Sequence, residues 1–296
     1  MLMMTPPTKT RLKRLDFTTS ELLDLRRQQK PNSRKLPKVP RPLSVKPVQM
    51  QYYQRLRPIV VAMRDSVNKY VVPYIENIVA YAQFSRPNKV DSHARADAYS
   101  DEIERIVELA KIQFLRQYPE TFYAELATSI ALVTDDFSYQ NMNRIFKQVF
   151  GINYSRFEPW ITQEVKGFVS TNVKLIKSIE SNYFDKVEGI ILRGAQRGAL
   201  SKDIGKELKA EFGVTDRRAA FIARDQVAKF NGNLTELRNT QAGVKKYRWS
   251  TSNDERVRAS HRELNGKVFS WDKPPSVGNP GEDFNCRCVG IPIFED

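Results

Sequence analysis

From residue 50 onward the apolar positions fall into stripes. Tyr52, Leu56, Ile59, Val60, Met63, Val67, Tyr70, Val71, Tyr74, Ile75, Ile78, Val79 and Ala82 keep the i, i+3, i+4, i+7 spacing of one helical face. Pro58 and Pro73 interrupt the run, so a kink or break is expected at each. A second stripe (Tyr99, Ile103, Ile106, Val107, Ala110, Phe114) stops before Pro119, and a third runs Phe122, Leu126, Ile130, Val133. "SYQNMNRIFKQVFG" predicts a short fourth helix closed by Gly151. The fifth is long: Pro159 suits a first turn, and the period then holds from Trp160 to about Gly198. These aromatics read as helical core. His93, in "DSHARAD", reads as a surface residue near a helix start, and nothing in 50–190 carries a catalytic signature.

Two more helices are predicted, "SKDIGKELKAEF" opening at Ser201 and closing at Gly213, and "TDRRAAFIARDQVAKFNGNLTELRNTQAG" ending near Gly243. Separated by a glycine turn, they fit a helix-turn-helix outline that most such pairs share without binding DNA. After Gly243 the period shortens. "KKYRWSTS", "GKVFSW" and "CVGIPIF" read as strands, and the loop "DKPPSVGNPGEDFN" lies between the last two. The fold class is therefore α+β, a mostly α-helical N-terminal region followed by a small β-containing C-terminal part. That part is short of core and would benefit from an internal clip.

Charge changes the picture at the start of the chain. The protein of 296 residues carries a net charge of +14. Residues 1–49 form a Pro-rich, basic segment expected to be an extended arm, because "KPNSRKLPKVPRPLSVKPV" loses donors and helical freedom at each proline. It is either a solvated linker or a phosphate-binding arm. In the second case Lys9, Arg11, Lys13, Arg14, Arg26, Arg27, Arg34 and Lys35 would bind DNA without sequence choice and with steep salt dependence. The scarcity of aromatics argues against base stacking. No apolar run is long enough for a membrane helix, the first residues lack a signal-peptide core, and a membrane partner is not expected. Two cysteines are too few for a disulfide framework, which fits synthesis in a reducing cytoplasm.

Both cysteines stand in "EDFNCRC" near the end of the chain. In extended backbone Cys286 and Cys288 share a face. With His261 they supply three of the donors a zinc ion takes, with a fourth from Asp283, Glu282, Asp254 or water. A disulfide between alternate residues would be strained. Two other readings stand beside the candidate Zn2+ site: small buried cysteines with His261 hydrogen-bonded to backbone, and a Cys–His nucleophile pair. Arg256, Arg258, Arg262 and Arg287 cluster around these residues, to bind an anion or to pair with Asp254, Glu255, Glu263 and Asp283.

The sequence "YRWSTSNDERVRASHRELNGKVFSW" followed by "GEDFNCRC" resembles the C-terminal domain of the phage Mu F-like family of head morphogenesis proteins. The resemblance rests on Trp249, Asp254, Arg256, Val257, Arg258, His261, Leu264, Gly266, Phe269, Pro280, Cys286, Arg287 and Cys288. It departs at Ala223-Arg224-Asp225-Gln226, where the family has Ala-Arg-Thr-Glu, and at Glu282-Asp283-Phe284, where a proline is common. Together with the patterning and charge, it divides the chain into an arm (1–49), an α-helical region (50–190) and a Mu F-like head morphogenesis domain (191–296), of which the resemblance covers only the last. It implies a non-enzymatic minor capsid protein of a tailed bacteriophage, inside the head near the portal. Its implied partners are the portal protein, major capsid or scaffold proteins, and DNA. The alternatives are a metal-dependent enzyme acting on nucleic acid, using His261 and the cysteines, or a plain non-specific DNA-binding protein.

Overall fold

The computed structural model describes residues 21–24, 28, 38–84 and 92–294. Lys9, Arg11, Lys13, Arg14, Arg26, Arg27, Arg34 and Lys35 lie outside the described residues, as does the side chain of His93. Among the described residues there are seven α-helices and three strands: α1 (Lys46–Tyr70), α2 (Ile75–Phe84), α3 (Ser92–Gln117), α4 (Glu120–Phe150), α5 (Ile161–Arg197), α6 (Ser201–Gln241), β1 (Lys246–Ser250), α7 (Ala259–Arg262), β2 (Val268–Ser270) and β3 (Val289–Ile293). The chain is α+β, as its patterning indicates. No helix among the described residues is long and apolar enough to cross a membrane.

Three helix boundaries differ from expectation. α1 runs through Pro58, and the chain breaks only at the 3-10 turn Val72–Tyr74 that contains Pro73. Leu56, Ile59 and Val60 are buried on either side of Pro58, and that packing offsets the lost backbone bond. The third and fourth stripes are one helix, α4, because no glycine or proline separates them and the mid-helix Asp135 has cationic partners. The two segments either side of Gly213 are likewise one 41-residue helix. Gly213 does not take the left-handed conformation that ends helices at Gly198 and Gly243. These two segments therefore do not form a helix-turn-helix.

The chain forms two units. One comprises Val45–Thr134 and Trp160–Phe230. Its core is the predicted stripes: Tyr52, Leu56, Met63, Ile103, Ile106, Phe114, Tyr183 and Phe184 are buried. Cβ-free Gly194 lets α5 meet Ile204 at the start of α6, whose side chain would stand 2.6 Å from an added methyl group. Polar groups inside this unit are few and locally satisfied. Tyr52 Oη donates to Asn172 Oδ1 at 2.9 Å, and Asn172 Nδ2 donates to the Phe168 carbonyl at 2.8 Å.

The other unit comprises the described residues up to Ser44, Asp135–Pro159 and Asn231–Asp296. Its sheet is antiparallel in the order β2-β1-β3, with Tyr247 opposite Phe269 on one side and Pro292 on the other. One apolar cluster joins Met142, Ile145, Phe146 and Val149 of α4 to Val244, Phe294 and Leu22. Beyond Leu22, the described end of the basic segment is also held here. Leu43 N donates to Asn141 Oδ1 at 3.1 Å, Arg144 donates to the Arg41 carbonyl at 2.6 Å, and Arg41 donates to the Thr251 carbonyl at 2.7 Å. The second cluster, Tyr247, Trp249, Trp271, Cys286 and Cys288, backs the sheet and carries the candidate site.

Candidate metal centre

β1 ends at Ser250, and the chain returns through the four-residue helix α7 to β2. Gly266 makes the return possible. Its φ of 83° belongs to the left-handed region, and its N–H donates to the Trp249 carbonyl at 2.8 Å. Lys267 O accepts from Trp249 N at 2.8 Å, so Trp249 is gripped on both sides while its ring is buried. The ring meets His261 of α7 edge-on, with centroids 5.5 Å apart.

The cysteines arrive from the other direction. Asn285 takes a left-handed φ of 51°, which asparagine tolerates, and the next residues are extended ahead of β3. Cys286 and Cys288 are therefore not within the strand, as expected, but just before it. Their alternation survives, since both are buried and Arg287 between them is exposed. Neither forms a disulfide.

The structure brings His261, Cys286 and Cys288 together, with His261 Nδ1, Cys286 Sγ and Cys288 Sγ all within 4.8 Å of one another. His261 Nδ1 is 3.6 Å from Cys286 Sγ and 3.5 Å from Cys288 Sγ. The residues are 3%, 5% and 8% exposed, so the cluster is closed to bulk solvent. His261 is not bonded to backbone, as one expectation had it. Its Nε2 lies 3.0 Å from Asp283 Oδ2. A hydrogen bond from the Cys288 thiol, and then the backbone N–H groups of Cys288 and Gly281, outweigh burial and bring the Cys286 thiol down to about 6. The same hydrogen bond, with burial, pushes Cys288 up.

The expected fourth ligands lie elsewhere. Asp283 faces His261 and Arg258, and its backbone neighbour Phe284 N donates to Oδ1 at 2.7 Å. Burial raises the Asp283 carboxyl, but these partners together hold it below the ordinary range. Glu282 Oε2 accepts from Asn279 N at 2.9 Å. Asp254 accepts from Arg287 Nη2 at 2.7 Å and from Arg256 N at 3.0 Å, and the Arg287 bond holds its carboxyl low. Two of the four clustered arginines, Arg258 and Arg287, are thus paired internally. Arg262 donates to the Val257 carbonyl at 3.1 Å, and Arg256 is exposed.

Two features escape a reading by motif. Asn279 is buried and clamps the long loop, accepting from Tyr247 Oη at 2.8 Å and donating to the Trp271 carbonyl at 3.2 Å and to Glu236 Oε2 at 3.1 Å. Its place in the turn sequence "GNPGED" is the only signal of it. The second is Arg238 of α6, whose side chain is wholly buried. It donates through Nε to Glu158 Oε1 at 2.6 Å and through Nη2 to Glu158 Oε2 at 2.9 Å, and it pairs with Asp135. Arg156 adds a second bond to Asp135.

Comparison with known proteins bears on the same stretch. Residues 185–291 match the family described as Phage Mu protein F like protein. An uncharacterized protein of Haemophilus influenzae is 46% identical over 144 residues, which is 48% of this chain and 32% of that protein. An uncharacterized protein of Methanocaldococcus jannaschii is 32% identical over 117 residues, 39% of this chain and 18% of that protein. The chain thus spans about a third or less of the length of these relatives. No solved structure matches. The match covers the end of α5, all of α6, β1, β2 and the His/Cys cluster, and ends within β3, so residues 185–291 are similar to the Mu protein F-like family.

Proposed function

We propose that this chain is a minor head protein of a tailed bacteriophage, placed in the virion near the portal and acting in head assembly or genome delivery. The observation that carries this reading is the Mu F-like match at residues 185–291. Within it motif residues are tied to one another, Asp254 to Arg287 and Trp249 to His261. The portal protein and the major capsid or scaffold proteins are the partners this reading names. The burial of the His/Cys cluster favours a structural over an enzymatic role, since a catalytic metal needs a position open to substrate.

The experiment is direct. An epitope-tagged chain is expressed in phage-producing cells, and heads are isolated on a density gradient and crosslinked. A few copies per head, crosslinked to portal protein, are expected. Finding the chain only outside heads would overturn the proposal.

DNA contact by the basic segment is the second element. Residues 1–50 carry twelve Lys/Arg against three Asp/Glu, a field that attracts phosphates. Leu22 belongs to a core cluster, so the variant to make lacks residues 1–20 only. It is expected to bind duplex DNA more weakly and with a shallower dependence of log K on log salt, by about 0.9 for each phosphate no longer neutralised. An unchanged slope would remove residues 1–20, with Lys9, Arg11, Lys13 and Arg14, from the reading.

A further inference from the structure

The geometry points to a structural zinc site in which His261 Nδ1, Cys286 Sγ and Cys288 Sγ hold one ion and Asp283 orients the imidazole from its far side. This inference stands on the cluster alone and not on the virion reading.

Distance is the first argument. A tetrahedral zinc with Zn–S of about 2.3 Å and Zn–N of about 2.0 to 2.1 Å sets each sulfur about 3.5 Å from the nitrogen. The two separations are 3.6 and 3.5 Å. A hydrogen-bonded reading accounts for one of them and not for both. A neutral ring nitrogen has a single lone pair or a single N–H, yet His261 Nδ1 stands equally close to two sulfurs.

The surroundings of each donor point the same way. His261 Nε2 is 3.0 Å from Asp283 Oδ2. A carboxylate there fixes the tautomer with the proton on Nε2 and leaves Nδ1 as a donor to metal. Asp283 is itself held by Arg258 and by Phe284 N, so it is a positioning residue and not a ligand. Trp249 Nε1 is buried with no hydrogen-bond partner, in the same cluster as Cys286 and Cys288. A buried N–H left unmatched costs about 1–3 kcal/mol. A zinc-bound thiolate would bring a negative charge into the cluster where this N–H stands.

Charge closes the account. Two thiolates neutralise the ion, and Asp283 is balanced by Arg258. Since Glu282, Asp283 and Asp254 are engaged elsewhere, the fourth position falls to water. With all the protein donors at least nine-tenths buried, that water has no substrate to meet, so the ion clips α7 to the segment ahead of β3.

The test uses the full chain, purified under reducing conditions without a metal-binding tag. Elemental analysis is expected to find about one zinc per chain. After removal of zinc with a chelator, titration with Co2+ is expected to give a thiolate-to-cobalt charge-transfer band and the intense visible bands of tetrahedral cobalt. Cys288→Ser is expected to lose the zinc and that band. Should this variant fail to fold, Asp283→Asn keeps the question open to measurement, with zinc binding expected to weaken about 10- to 100-fold while all ligands remain. Wild-type protein without zinc that gives no charge-transfer band with Co2+ would overturn the site. An unchanged zinc affinity in Asp283→Asn would overturn the role of Asp283.

Discussion

The two units solve the same problem with different means. In Val45–Thr134 with Trp160–Phe230, long helices bury Tyr52, Leu56, Met63, Ile106, Phe114 and Phe184, and most polar groups inside are neutral. In the unit that carries the sheet, the strands are three to five residues long and the clusters are small. Strands that short bury too little area to hold themselves. This unit instead ties itself with directional bonds: Arg238 to Asp135 and Glu158, Asn279 to Tyr247 and Trp271, and the His/Cys cluster. Where apolar area is plentiful, one polar bond fewer matters little. Where it is scarce, each polar knot decides whether the unit forms.

Breaking Arg238 is the severest test of that contrast. Arg238→Ala leaves Asp135 and Glu158 buried at 4% and 7% exposure without their main cation, a loss of about 3–5 kcal/mol. Hydrogen exchange is expected to rise across 135–159 and 231–294 and to stay slow in α1 and α3. Replacing the three residues together, Arg238→Met with Asp135→Leu and Glu158→Leu, is expected to recover most of the stability, because no charge is then buried alone. Equal loss in both variants would mean the knot matters for its shape and not its charge.

A smaller effect probes packing in the sheet. Gly290 of β3 lies under two rings, and an added Cβ would stand 2.8 Å from Trp271 and 3.2 Å from Tyr247. Gly290→Ala is expected to cost about 1–3 kcal/mol as those rings shift. Near-ultraviolet circular dichroism would record it, since Trp249 and Trp271 share that cluster. Gly205→Ala in the other unit, where nothing lies within 4 Å of an added Cβ, is expected to be neutral or stabilising.

Legibility in the sequence divides along the same line. The helical stripes could be read because their signal is local and repeated, and Ile103, Ile106 and Phe114 are buried as their spacing implies. Gly213 misled because a glycine ends a helix only when it turns left-handed, and that choice is made by tertiary packing rather than by the glycine itself. His261, Cys286 and Cys288 could be found because few residue types have so narrow a use, and their order resembled a known pattern. Asp283 is one of four alternatives for a fourth ligand in the sequence, and the structure sets its carboxylate against His261 Nε2. Residue type marks a carboxylate as useful without saying to which atom. Arg238 carried no signal, because its partners Asp135 and Glu158 lie 103 and 80 positions away.

The smallest expected effect sharpens the comparison most finely, because each unit also hides a carboxylate. Glu158 meets a guanidinium. Glu180, in the helical unit, accepts from the phenol of Tyr123 at 3.1 Å. Burial raises the Glu180 carboxyl above its ordinary value, against the lowering by Tyr123 and by Lys111 and Lys177. A raised folded-state pKa means that the folded chain binds this proton more tightly than the unfolded chain. Its ionised form is therefore a cost at neutral pH, and that cost disappears as pH falls below the ordinary glutamate value of about 4.3. Glu180→Gln keeps an acceptor for Tyr123 and removes the charge. Its Tm is expected to exceed that of the wild type at pH 7, with the gap closing as the pH approaches 4. A gap of constant size across that range would trace the gain to packing rather than to the buried charge. A lower Tm at pH 7 would mean that Glu180, like Glu158, is sustained by cations, and the contrast between the units would narrow to their apolar area.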